Sequence, residues 1–331
     1  MADASMHQAQ SAAEPGWFAR NKLAVAPWFF LIPALIFFAI YVVIPIFESL
    51  WLSLYEWNGL YDADGNSTAT WVGFENYAKL WVDPNFWTSL RNNLAWLILY
   101  MLAVPLGLFI ALFLNQTVPG MRFYKSMFFF PFVISQVVVG LIFGWFYNPD
   151  FGVVGTVWKA IFCEETTNIL GNVTFTCSRP APDILSSPEW ATYGIIAAGL
   201  WPQIAYCMIL YLTGLNNVAA DQIEAARLDG AKGWKMLWYV VVPQLKPATF
   251  IAVVVTVIGA LRSFDMIAIM TQGGPFGSTN VLSHYMFEVA ISEYGERYGY
   301  GSSVATVLFG IMLFFISYFL WRMYQDEKGG R

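Results

Sequence analysis

Charge is scarce in this sequence. Only 12% of its 331 residues are Asp, Glu, Lys or Arg, about half the share of an ordinary soluble domain. So few charges cannot coat a water-facing surface, which excludes a soluble enzyme and a disordered chain alike. Histidine is rarer still. With only His7 and His284, neither a His-built metal centre nor a His-dependent triad can be assembled. No Gly is followed by Lys, which removes the G-x-x-x-x-G-K-[ST] loop that cradles ATP phosphates. No cofactor and no metal of its own is therefore expected. The net charge of -5 and sequence pI near 5.1 argue against a nucleic-acid binder.

What the sequence has instead is apolar length. Hydrophobic residues make up 58% of it and aromatics 18%, the composition of a polytopic membrane protein. A helix needs about 20 apolar residues to cross the hydrocarbon. Uncharged stretches of that size run Leu23–Phe47, Asn92–Met121, Ser126–Pro149, Ala191–Ala220 and Tyr298–Trp321. A sixth, Pro247–Met270, is interrupted by Arg262 and Asp265. Nothing alternates in ten-residue segments as barrel strands do. The predicted fold is all-α with six transmembrane helices.

If both termini share a side, that side collects eleven Lys and Arg residues, and the other holds Lys79, Arg91, Lys159, Arg179 and Arg297. Basic excess marks the cytoplasmic face, so both termini are expected there. The first apolar run is too long for a signal-peptide core and reads as a retained span behind a loose tail, residues 1–22. Cys207 falls within the fourth span, where a small hydrophobe packs well. Cys163 and Cys177 share the outer loop 148–190, where disulfides persist. A bridge between them is expected, as a loop staple.

The inner connection from Asn216 to Lys246 is long and polar. Asp221, with Glu224 three residues on, suits a capping box. Ala225 and Ala226 propagate a helix, and Gly230 can end it in the left-handed region. Trp234, Leu237, Trp238 and Val241 recur at helical spacing until Pro243 and Pro247 interrupt. A small Ala-faced helix can dock into a partner's groove, and it can equally be a plain amphipathic connector. Residue chemistry alone leaves both open.

The resemblance of these residues to a family is specific. Glu224-Ala225-Ala226, Asp229-Gly230-Ala231, Pro243 and Pro247 are similar to the EAA motif of permease subunits of binding-protein-dependent ABC importers. Val72-Gly73-Phe74-Glu75-Asn76-Tyr77, Phe264-Asp265 and Thr271-Gln272-Gly273-Gly274-Pro275 resemble its carbohydrate branch, which includes the maltose and glycerol-phosphate permeases. Gln272 stands where many relatives have Gly. The resemblance covers Ala24 to Trp321 and implies the type I ABC importer fold. That layout has a peripheral first helix (23–54), an outer loop (55–91) and a five-helix core (92–321) carrying a coupling loop (216–246). A cytoplasmic tail (322–331) ends it.

The implied setting is the inner (plasma) membrane of a bacterium or archaeon. The implied partners are a second related permease, two ATPase subunits that bind and hydrolyse ATP with Mg2+, and a periplasmic or lipid-anchored binding protein. The chain itself would be a transporter subunit and no enzyme. Under this resemblance Glu224, Ala225, Ala226, Asp229, Gly230 and Ala231 form the coupling segment, with Glu224 meeting basic groups of an ATPase subunit.

A charge in the hydrocarbon costs about 3 kcal/mol even on insertion scales, so Arg262 and Asp265 need a reason. Three apart on one helical face, they can pair, either as wetted structural groups at the outer boundary or at the mouth of a polar pathway. The resemblance places substrate contacts on the helices flanking the EAA loop. Those helices offer Trp201, Gln203 and Tyr206, then Thr256, Arg262, Ser263 and Asp265. Such types suit a sugar or sugar-like solute, and the aromatics among them suit packing and interface belts as well. Val281–Tyr294 reads as an amphipathic helix with Val281, Leu282, Tyr285, Met286, Val289 and Ala290 on one face. An ion-coupled secondary transporter is the alternative, but of its mid-membrane carboxylates only Asp265 and Glu48 qualify. A membrane enzyme would need a nucleophile–base cluster that is absent.

Overall fold

The computed structural model describes residues 22–62, 64–116, 118–167, 173–292 and 296–329. The expected tail, residues 1–21, and the expected end of the outer amphipathic helix at Glu293 and Tyr294 lie outside them. The chain divides into two compact units, 1–51 and 52–331. The first holds α1 (Lys22–Phe38), a π turn (Ala39–Val43) and the beginning of α2 (Ile44–Leu52). Its side chains are apolar nearly throughout, and Phe29, Phe30, Phe37 and Tyr41 are exposed, as suits a helix solvated by lipid. The π turn precedes Pro45, whose missing N–H shifts the local bonding so that Ile44 N reaches Ala39 O.

The second unit opens with a hairpin of β1 (Tyr55–Glu56) and β2 (Thr70–Trp71), then α3 (Glu75–Val82). α4 (Pro84–Leu114) begins well outside the apolar run that starts at Asn92. The cause is local: Asp83 Oδ1 accepts from Asn85 N at 2.9 Å and Pro84 takes the first helical position. α5 (Met121–Val133) and α6 (Gln136–Phe146) meet at 99°. The expected unbroken helix over Ser126–Pro149 is therefore two. Pro131 weakens the end of α5, Ile134 is extended, and Ser135 caps α6 by accepting from Val138 N at 3.4 Å.

α7 (Val153–Phe162) leads into an antiparallel hairpin of β3 (Cys163–Thr167) and β4 (Val173–Cys177). Cys163 and Cys177 stand opposite each other and are bonded. α8 (Ala191–Asn216) is followed by α9 (Ala220–Leu228), α10 (Trp234–Gln244) and α11 (Lys246–Leu261), the last two bent by 68° at Leu245. α10 also contains a π turn, Leu237–Val241, two residues before Pro243. α12 (Phe264–Met270), α13 (Leu282–Ile291) and α14 (Tyr298–Gly329) complete the chain. Among the described residues four helices are long and apolar enough to cross a membrane, and six spans result when each bent pair counts as one. The sixth apolar run does not form one helix, because α11 ends at Leu261.

Small residues decide how closely the spans approach. Ala103, Gly107 and Ala111 form a fourfold-spaced buried stripe on α4 where it crosses α8. A Cβ on Gly107 would lie 2.5 Å from the Cys207 Cβ and 2.8 Å from Met208 N, so the backbones touch there as small-xxx-small pairs do. On α13, Leu282, Tyr285, Val289 and Ala290 are buried, and Met286 packs against their edge. Asp83 ties this layer together, accepting from the hydroxyls of Tyr285 on α13 and Tyr300 on α14. Burial pushes the Asp83 carboxyl up, but the two phenol bonds and the backbone N–H of Asn85 outweigh it and hold it below its ordinary value.

Candidate functional site

α11 stops because Arg262 (φ −101°, ψ 21°) and Ser263 (φ −72°, ψ 52°) leave helical geometry before α12 restarts at Phe264. Ser263 Oγ donates back to Ala260 O at 2.9 Å, and Phe264 N donates to Arg262 O at 2.8 Å. Beside this break lies a cleft of about 280 Å³, lined by Tyr100, Gln136, Gln203, Gly259, Arg262, Ser263, Asp265 and Met266, with Val255 and Ile258. The break also removes the single helical face on which Arg262 and Asp265 could pair. Both are exposed, and among the described residues no ion pair joins them.

The other expected pathway residues divide. Gln203 Nε2 donates to Thr256 Oγ1 at 2.9 Å. Thr256 is fully buried, so it stands behind Gln203 as a brace and does not line the cleft. Trp201 packs edge-on against Phe143, with centroids 5.8 Å apart, and joins the core around Trp96 and Ile195. Tyr206 stacks on Phe132 at 5.0 Å. Neither aromatic lines the cleft. Six lining residues escaped the sequence reading: Tyr100, Gln136, Val255, Ile258, Gly259 and Met266. Gln136 had a signal, since Ser135-Gln136 is a polar pair inside an uncharged run with Pro131 just before it. Its Oε1 is buried without a partner, an acceptor held ready at the first turn of α6. Amides, a hydroxyl, a guanidinium and a carboxylate thus converge within an apolar bundle. Such a set can exchange hydrogen bonds with a hydroxyl-rich solute.

α9 and α10 build the second site. The N-cap of α9 is Ala219, which has no side-chain cap; its N–H donates to Gln244 Oε1 at 3.1 Å. Asp221 therefore sits inside the first turn, where it complements the helix dipole, and the expected capping by Asp221 does not occur. The other end follows expectation. Gly230 has φ +83°, its N–H bonds Arg227 O at 3.1 Å, and Ala231 N bonds Ala226 O at 2.9 Å. This double bond pattern is a Schellman motif, and Gly supplies the left-handed residue without a Cβ penalty. Ile223 turns inward to an apolar cavity of about 250 Å³ shared with Leu112, Leu215, Val218, Met236 and Leu237, which seats the loop on the ends of α4 and α8.

Glu224, Ala225 and Asp229 face out, around a Leu228 that is 90% exposed. Ala226 and Ala231 are half-buried. Trp234 and Tyr239 add exposed aromatic surface. Among the described residues Glu224 has no hydrogen-bond or ion partner, and no group of three His, Cys, Asp or Glu side chains is placed to hold a metal ion. A carboxylate beside exposed apolar side chains is the make-up of a protein contact surface.

Comparison with known proteins agrees in fold and sequence. Residues 103–327 match the family described as binding-protein-dependent transport system inner membrane component. A probable ABC transporter permease protein of Pyrococcus horikoshii is 33% identical over 303 residues, 90% of this chain and 96% of that protein. The multiple sugar-binding transport system permease protein of Streptococcus mutans is 31% identical over 86% of this chain and 90% of its own length. A chain from the crystal structure of a bacterial alginate ABC transporter, in complex with an alginate pentasaccharide-bound periplasmic protein, superposes with a TM-score of 0.74. It is 19% identical and covers 92% of this chain and 96% of its own.

Proposed function

The chain belongs to the family of binding-protein-dependent transport system inner membrane components, and on that premise we propose that it is the permease subunit of an ATP-driven importer for a sugar or sugar-like solute. The observation that carries the solute class is the polar cleft beside the α11–α12 break. Arg262, Ser263, Asp265, Gln203 and Gln136 offer donors and acceptors in fixed positions, with Tyr100 as an aromatic wall. A glycoside, oligosaccharide or polyol derivative matches such a set. The sugar named for the Streptococcus mutans relative and the alginate pentasaccharide named for the solved complex point the same way.

The chain has no P-loop, so the work of ATP reaches it through partners. In this reading two ATPase subunits in the cytoplasm grip α9 through Glu224 and the exposed Leu228. A second related permease completes the pathway, and a periplasmic or lipid-anchored binding protein delivers solute at the outer face of the inner membrane. Both termini are cytoplasmic. Closure of the ATPases moves α9, and the helices rotate as rigid bodies to alternate access. Such a shift needs contacts that differ between the two states, and the outward face of α9 supplies the surface for them. The test is uptake of labelled glycosides into proteoliposomes holding the complete complex. Uptake should require ATP and the binding protein and should stop with vanadate. Uptake driven by a proton or sodium gradient without ATP would overturn the reading.

A further inference from the structure

A second cavity, of about 460 Å³, runs beside α4. Trp87, Leu90, Leu94 and Leu97 form one wall, with Leu261 of α11 and Ile311 and Phe315 of α14 opposite. Two polar residues interrupt this apolar lining, Arg91 and Asn93. Arg91 is exposed and has no ion partner among the described residues. Asn93 is 3% exposed, and its Oδ1 accepts from Leu282 N at 2.8 Å. That bond fixes which way the amide points and leaves Asn93 Nδ2 buried with no acceptor. Closed off in this way, the amide is out of an occupant's reach, and the polar group that the cavity does present is the exposed Arg91 guanidinium.

The order of groups along α4 says which occupant. Trp87 donates from Nε1 to Trp81 O, and the two indoles meet edge-on at 5.0 Å; Trp pairs of this kind mark the membrane–water boundary. Arg91 follows one turn deeper, then Leu94 and Leu97. At 1.5 Å per residue the sequence from cation to last Leu spans roughly 9 Å. An anionic glycerophospholipid presents its matching groups in the same order, phosphate and then acyl chain. We propose that this cavity binds an anionic glycerophospholipid. Its phosphate pairs with Arg91, and an acyl chain lies along Leu94, Leu97, Ile311 and Phe315.

The proposal is tested with the full chain in nanodiscs containing phosphatidylglycerol that carries a photoreactive diazirine on its acyl chain, and in parallel with the phosphatidylcholine analogue. Photolysis followed by peptide mapping should place the label on the segments holding Leu94, Leu97, Ile311 and Phe315, with phosphatidylglycerol preferred. The exposed Arg91→Gln should leave folding intact and cut phosphatidylglycerol labelling about fivefold, the worth of one basic residue near the headgroups. Leu97→Trp, which fills the cavity, should remove the label at α14. Equal labelling by both lipids that ignores Arg91→Gln would overturn the site, leaving only annular lipid. Labelling of the chain alone that vanishes in the assembled transporter would overturn it too, because a protein would then cover the cavity.

Discussion

Replacing Glu224 separates a connector from a coupling element, because the two roles differ greatly in magnitude. Glu224 is the fifth of the nine residues of α9, past the first turn in which the helix dipole acts. It is exposed and makes no contact that its loss would break. Within the chain, Glu224→Ala should change stability by no more than about 0.5 kcal/mol, since Ala propagates helix at least as well. At a contact with an ATPase subunit the same change would strand a buried cation, at a cost of about 2–5 kcal/mol. That corresponds to roughly 30-fold weaker association at the least. The assay is co-purification of the ATPase subunit with tagged permease at matched membrane abundance, with ATP hydrolysis stimulated by loaded binding protein as the second readout. Glu224→Gln should be intermediate, Glu224→Ala severe and Glu224→Lys most severe, whereas Gln222→Ala, exposed on the other side of α9, should be neutral. If Glu224→Lys keeps its ATPase subunits and full stimulated hydrolysis, α9 is only a connector.

Gly107→Ala should lower the unfolding temperature by several degrees, because its Cβ meets Cys207 and backbone atoms within 3 Å and overpacking costs about 1–3 kcal/mol. Gly144→Ala, with nothing within 4 Å, should be neutral or stabilising; a thiol-reactive dye on the buried free Cys207 reads both, and equal shifts would refute the packing account. The depressed Asp83 carboxyl contributes stability that is complete above its ordinary value of 3.8 and disappears as pH falls through the lower folded value. Asp83→Asn should therefore flatten the acid limb of a stability profile, and an unchanged limb would remove Asp83 as its cause. Phe276 is 97% exposed at the tip of a loop that Asn92 Nδ2 holds through Ser278 O at 2.7 Å and Asn280 O at 2.8 Å. Phe276→Ala should weaken docking of the binding protein at least tenfold with no change in melting temperature; unaltered binding would mean that another surface anchors it.

The spans were legible because apolar length is a one-dimensional property, and the bends were not because length is blind to them. Ser126–Pro149 carries no charge, so counting treats it as continuous, although Pro131 and a Ser-Gln pair lie inside it. The outer turns of α4 were missed for the opposite reason. They are polar and fail the hydrophobic count, yet Asp83-Pro84 is a cap followed by a first-turn proline, a signal of helix start independent of hydropathy. Both π turns fall two residues before a proline. In each, the absent N–H is absorbed by one wider turn, and the helix continues where a simple breaker rule would end it.

Legibility of the cleft follows the cost of what lines it. Gln203, Arg262, Ser263 and Asp265 stood out because polar groups in hydrocarbon demand a reason. Trp201 and Tyr206 could not be sorted, since an aromatic that stacks on Phe143 or Phe132 has the same sequence signature as one that stacks on a solute. Tyr100 and Met266 carry no signal at all, and Gly259 contributes only by leaving room beside Gln203. The pairing that sequence spacing allows Arg262 and Asp265 does not form, for a reason that bears on function. It assumed an unbroken helix, in which the two charges would satisfy each other and leave the bundle nothing to offer a solute. The break at Arg262 and Ser263 undoes that self-satisfaction. A guanidinium and a carboxylate that do not answer each other keep their hydrogen-bonding capacity for another partner.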